Sequence, residues 1–280
     1  MHARVCGPAE ALMKFYRITR LGRPFDLSRT SNRISLIGPA VLGLASLGWD
    51  VAVGNPADFV GALSAAISAF LAWAIARELD PDRPHTATFA MVLAGLAAAT
   101  GIWEVPLGVS TAALVGLRVL VGSVGGDLKP LDLAAIVGLA GFAGTRIEGW
   151  VVVLLLVLGV LDSRPRGYLY ALPAIVLGAG AGAFLAGVGL PGGTRSDEVY
   201  LWALVTIAAI PLSVRLTKIR SRTDIFDHPI RWPNVRAARV MAGFVVIGGL
   251  LASTANDVVL LAPVLAALGA TALARTFRPV

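Results

Sequence analysis

Three carboxylates, Glu78, Asp80 and Asp82, crowd into Arg77-Glu-Leu-Asp-Pro-Asp-Arg-Pro-His85. Acids set this close suit a hard cation such as Mg²⁺, which takes one or two carboxylates together with the oxygens of a substrate phosphate. Pro81 cannot continue a helix, so the acids project from a turn at a helix C-terminus. The macrodipole is negative there and disfavours each carboxylate by about 0.3–1 kcal/mol, a repulsion that a bound cation would offset. The same acids can instead pair with Arg77 and Arg83 in a solvated loop, and the residues alone leave both readings open. Arg118 is the second chemical feature, because it interrupts an otherwise apolar stretch. An ionisable residue in such a place faces a bundle interior, or else reaches the helix end and pairs with Asp132. A third group, Asp224, Asp227 and His228, has metal-ligand residue types but lies among seven basic residues of Arg215–Arg239 and reads as ion-paired surface.

The elements that must hold these residues are apolar helices. Hydrophobic residues make up 56% of the 280 and charged residues 15%, against roughly a quarter charged in an average soluble domain. Mean hydropathy is +0.77. That leaves too little polar surface to coat a globule in water. A membrane-spanning helix needs about 20 mostly apolar residues. Candidates are Ser35–Val53, Phe59–Ala76, Thr86–Trp103, Leu107–Val124, Tyr168–Leu190, Val199–Val214, Val240–Thr254 and Val258–Ala274, with prolines in the connections. The expected fold is therefore all-α: a polytopic integral membrane bundle of nine to ten helices. Residues 1–34 form a basic leader at the cytoplasmic face, and residues 35–280 form a single transmembrane domain.

Charge selects the helix count. Leu131–Leu161 is long for one span and short for two, with Gly144–Gly149 at its centre. As a hairpin, Leu131–Ala143 and Trp150–Leu161, it leaves all of the 24 Lys and Arg on one side except Arg146 and Arg195. Lys and Arg accumulate on the cytoplasmic side of short loops. Ten helices with both termini cytoplasmic, in a cell (cytoplasmic) membrane, is the resulting topology. A re-entrant hairpin would give the same sidedness. Gly178, Gly180, Gly182, Gly187 and Gly189 are expected to let neighbouring helices approach closely.

The pI of about 10.3 could suggest nucleic acid, but the cations flank apolar segments and are expected to meet anionic lipid headgroups instead. Cys6 is the single cysteine, so no disulfide within the chain and no Cys-x-x-Cys metal cluster can form.

Lys14-Phe-Tyr-Arg-Ile-Thr-Arg-Leu-Gly-Arg-Pro24 resembles the leader of the UbiA-type prenyltransferase superfamily, intramembrane enzymes that attach isoprenoid chains to acceptors. Glu78-x-x-x-Asp82 is similar to the family's first Asp-x-x-x-Asp motif, with Glu replacing one Asp and without the preceding Asn-Asp. Asp162 matches one acid of the second motif, and Arg166 stands where the other would be. The resemblance implies that Glu78, Asp80, Asp82 and Asp162 carry Mg²⁺ while Arg118, Arg164 and Arg166 neutralise phosphate oxygens. It implies an enzyme or binder of prenyl-diphosphate-type lipids at the cytoplasmic face. The alternatives are a ten-helix small-solute transporter, built from two inverted halves, and a non-catalytic membrane subunit.

Overall fold

The computed structural model describes residues 16, 18–22, 28, 30–100, 107–163, 171–188, 197–214, 219–252 and 262–277. Among them the chain forms ten α-helices and no strand. The helices are α1 (Thr30–Ala52), α2 (Phe59–Leu79), α3 (Pro84–Ala99), α4 (Leu107–Val121) and α5 (Pro130–Gly144). A 3₁₀ turn, Ile147–Gly149, leads into α6 (Trp150–Asp162), followed by α7 (Ala171–Ala186), α8 (Asp197–Val214), α9 (Trp232–Ala252) and α10 (Ala262–Phe277). By length and composition α1, α2 and α9 are long and apolar enough to cross a membrane.

Local chemistry sets these boundaries. Asp58 caps α2 by accepting from the Val60 N–H (3.0 Å), which satisfies one orphan donor of the first turn. Pro84 and Pro130 open α3 and α5, where a missing N–H and a fixed φ suit a first turn. The break at Gly144–Gly149 makes the expected hairpin: the start of α5 and the end of α6 return to one end of the bundle. At 15 and 13 residues its arms rise only about 1.5 Å per residue, short of the roughly 30 Å of a hydrocarbon core.

One boundary departs from expectation. The sequence pattern starts the ninth helix at Val240, yet α9 begins at Trp232 and takes Arg236 and Arg239 into the helix. Charge was the sign of a loop, but Pro233 sits in the first turn and Arg239 finds its partners inside the protein. Likewise α1 begins at Thr30, within the stretch read as leader.

Packing is organised around α4, none of whose residues is exposed. It is covered by α2, α5, α6 and α9. The outer helices expose apolar side chains: Leu44 on α1, Phe59 on α2, Phe184 and Leu185 on α7, and Phe244 on α9. The halves are not packed alike. Helices α1, α2 and α3 pack against one another, whereas α8 packs on α9 and α10, and α6 packs with α4, α5 and α7.

Helices α5 and α7 meet along glycines. A Cβ on Gly182 would overlap the Gly141 carbonyl oxygen, and one on Gly144 would overlap that of Ala179. Gly178 sits 3.0 Å, in the same sense, from the Val137 carbonyl. Gly180 meets nothing within 4 Å, and Gly187 (φ +62°) ends the helix instead of packing. Gly189 lies outside the described residues. Gly182→Ala is thus expected to destabilise the protein by about 1–3 kcal/mol through overpacking. Gly180→Ala is expected to be neutral or to stabilise by about 0.4–1 kcal/mol. Thermal unfolding of the two purified variants checks the contrast.

Candidate functional site

The chemically capable residues gather where α2, α4, α6 and α10 end and α3, α5 and α9 begin. Asp80 follows the last residue of α2 and is wholly buried. It accepts from Arg275 Nη2 of α10, from Arg239 Nη2 of α9 (3.4 Å) and from Thr86 Oγ1 of α3 (3.2 Å). Arg239 also donates to the Leu79 carbonyl (2.6 Å) and to the Ser213 carbonyl, so it ties three helix ends together. Glu78, buried two residues earlier, accepts from Arg118 Nε (2.8 Å). Asp82 accepts from the N–H groups of Arg220 and Ser221 and from Ser221 Oγ (2.6 Å). Asp162 is exposed and accepts from Asn234 Nδ2 (3.2 Å).

The four expected acids therefore have separate commitments. Glu78 belongs to Arg118, Asp80 to two arginines, Asp82 to a loop backbone and Asp162 to α9. No group of three or more His, Cys, Asp or Glu positioned for a metal occurs among the described residues. The donors around these acids are guanidinium, amide N–H and hydroxyl groups. Arg164 and Arg166 lie outside the described residues.

Arg118 leads to a cavity of about 550 Å³, a size common for small-ligand sites. Its walls include Arg20, Arg118, Arg231, Asp162, Ser163 and Asn234. Of the two readings open for Arg118, the contacts match the interior-facing one: it donates to Glu78 and, through Nη1, to the Leu21 carbonyl (2.6 Å) and does not pair with Asp132. Arg20 enters from the leader. Its Nε and Nη1 atoms are buried and have no hydrogen-bond partner, and its guanidinium carbon lies 5.9 Å from the Phe226 ring centroid, within cation–π range. Three arginines and one carboxylate give the described wall a net positive charge, and the two Arg20 nitrogens without acceptors are its costly element, because a buried donor left unpaired keeps its desolvation penalty.

A loop from 219 to 231 contributes Arg231 to the cavity wall and packs Thr223 and Phe226 against Gly125 and Gly126 of that wall. The N–H of Thr223 donates to the His228 carbonyl (2.8 Å), folding the loop back on itself. The N–H groups of Asp224 and Ile225 donate to the carbonyls of Ser123 and Val124. Gly125 and Gly126 (φ +85° and +80°) let Thr223 and Phe226 sit close on the backbone. Asp227 pairs with Arg222 at the surface (2.7 Å), an exposed contact worth little. Asp82 is the anchor. Burial pushes its carboxyl pKa up, but the hydrogen bonds from Ser221 and Arg220 and the Arg275 charge outweigh that and hold it below its usual value. A depressed folded pKa stabilises above the unfolded value of about 3.9 and loses that stabilisation as pH falls through the lower folded value. Between about pH 6 and pH 3 the wild type is expected to lose more thermal stability than Asp82→Asn, as paired melts would measure.

Sequence reasoning located Arg118 and the acidic turn and missed Arg20, Arg231 and Asn234 as parts of one site. Gly125 and Gly126, just past α4, are the available signal, since they allow Thr223, Phe226 and Arg20 to approach its end. No family model, curated protein or solved structure matches the chain, so the site is interpreted from its own geometry.

Proposed function

We propose that the chain is a multi-pass protein of the cytoplasmic membrane whose basic cavity opens to the cytoplasm and binds the phosphate-bearing headgroup of an isoprenoid-type lipid. The observation that carries this is the convergence of Arg20, Arg118 and Arg231 on one cavity, with two buried Arg20 nitrogens lacking acceptors. Arginine suits phosphate because its planar fork donates bidentately and stays charged. The membrane assignment is supported by apolar side chains on the outer helices, by three helices of spanning length and by the one-sided distribution of Lys and Arg. In that orientation the cavity lies at headgroup depth and the apolar helices can shelter an isoprenoid tail.

The UbiA-type resemblance points to the same ligand class but by a different device. Among the described residues Asp162 is the one carboxylate in the cavity wall, and Glu78, Asp80 and Asp82 are engaged by arginine, hydroxyl or N–H donors. No chemical step through metal is assigned, and the reading favoured here is a binder in which guanidinium groups take the place of the ion. A transporter of two inverted halves draws no support from the packing, because α1–α3 and α6–α8 make different contacts. The test is equilibrium binding to the detergent-purified protein. Farnesyl diphosphate is expected to bind and farnesol to bind at least tenfold more weakly, a gap of about 1.4 kcal/mol. Equal affinity for the two would remove the reading.

A further inference from the structure

We infer that Asp132 is a positioning residue for this cavity: it clamps the leader backbone so that Arg20 is presented to the anion. The inference rests on the anion-binding reading above and adds how the site is assembled. Asp132 lies in the first turn of α5 and is 1% exposed. A helix cap needs only one of its oxygens, and Oδ2 serves that purpose by accepting from the Lys129 N–H (2.7 Å). The rest of its capacity goes to a segment more than a hundred residues away. Both oxygens accept from the Arg20 N–H (2.9 and 3.0 Å), and Oδ1 accepts from Thr19 Oγ1 (2.5 Å). Among the described residues no Lys or Arg side chain pairs with it. Its charge is therefore spent on N–H and O–H donors, which are stronger when the acceptor is ionised.

On the other side of the same segment, the Leu21 carbonyl accepts from Arg118. Residues 19–21 are thus pinned between a carboxylate on α5 and a guanidinium on α4. That leaves the Arg20 side chain one course, between Gly126 and Phe226. A Cβ on Gly126 would stand 3.3 Å from the Arg20 guanidinium carbon and 3.0 Å from the Phe226 ring, so the gap is set for this side chain. The sequence offers no hint of it, because Asp132 reads there as a candidate partner for Arg118 and not for the leader.

The test is a double-mutant cycle on the full-length protein with farnesyl diphosphate as probe. Arg20→Gln and Asp132→Asn are each expected to weaken binding about tenfold or more. If Asp132 acts through Arg20, the double variant falls less than twofold below Arg20→Gln alone, since residues acting as one unit are non-additive. Asp132→Asn combined with Arg231→Gln, whose side chain enters from α9's loop, is expected to multiply in full. Thr19→Val leaves the α5 cap intact and is expected to give a smaller loss in the same direction. A reading that needs no ligand accompanies the cycle: tryptic cleavage after Arg20, mapped by mass spectrometry, should rise in Asp132→Asn and Thr19→Val. Multiplicative losses for the Arg20 and Asp132 pair, or unchanged cleavage, would overturn the positioning role while leaving the cavity's function standing. Absence of farnesyl diphosphate binding by the wild type would overturn both.

Discussion

Asp80→Asn is expected to lower the unfolding free energy by about 3–5 kcal/mol, because it breaks a buried ion pair and leaves cations behind. Asp80 and Arg239 are wholly buried and Arg275 is 5% exposed, so water cannot take over the lost charge. Two guanidinium groups share this single carboxylate, and each belongs to a different helix of the C-terminal pair. The same residue also receives Thr86 from α3. Loss of its charge therefore loosens the junction of α2, α3, α9 and α10 at once. Arg275→Met in the Asp80→Asn background removes one stranded cation and should restore part of the loss, a coupling expected of side chains in direct contact. Thermal unfolding followed by tryptophan fluorescence measures both variants. A change under about 1 kcal/mol for Asp80→Asn would place it among ordinary surface substitutions and contradict its role.

Arg118→Gln is expected to weaken farnesyl diphosphate binding by roughly ten- to a hundredfold, since a hydrogen bond to a charged group is worth about 1.5–3 kcal/mol. Its guanidinium is oriented twice, by Glu78 Oε1 and by the Leu21 carbonyl, so it is held in place before an anion arrives. Preorganisation of this kind is what makes a binding group effective. Glutamine is too short to keep either contact, so the leader should also loosen. Arg231→Gln should cost less and chiefly reduce the salt sensitivity of binding, as exposed charges are the most screened. Isothermal titration at two ionic strengths separates the two arginines. Affinity unchanged in Arg118→Gln would mean the cavity is not the anion site.

Helix count and the hairpin were legible because each rests on local signals: apolar runs of spanning length, the prolines at 84 and 130, and the glycine-bounded break at 144–149. The partners of the charged residues were not. Glu78 and Arg118 are 40 residues apart, Asp132 and Arg20 are 112 apart, and Asp80 and Arg239 are 159 apart. No periodicity connects such pairs. A single rule, that cations mark loops, placed most Lys and Arg at one end of the bundle and failed at Arg239. There a carboxylate at the end of α2 stabilises a cation inside a helix, one residue before the apolar run that the sequence pattern starts at Val240. The acidic turn shows the converse. Its spacing is open to a metal site or to ion pairs in a solvated loop, and consecutive acids on a turn point to different neighbours, so Glu78, Asp80 and Asp82 each meet their own partners. The proposed anion site draws on the leader, α4 and the start of α9, three segments that share no motif.

The most direct measurement uses one thiol. In a Cys6→Ser background, Ser163→Cys places a cysteine on the cavity wall. It would be challenged with a membrane-impermeant maleimide from each side of oriented vesicles. The account predicts labelling from the cytoplasmic side alone, slowed by farnesyl diphosphate and not by farnesol. Labelling from the opposite side, or equal rates with and without the diphosphate, would contradict a cytoplasm-facing anion cavity.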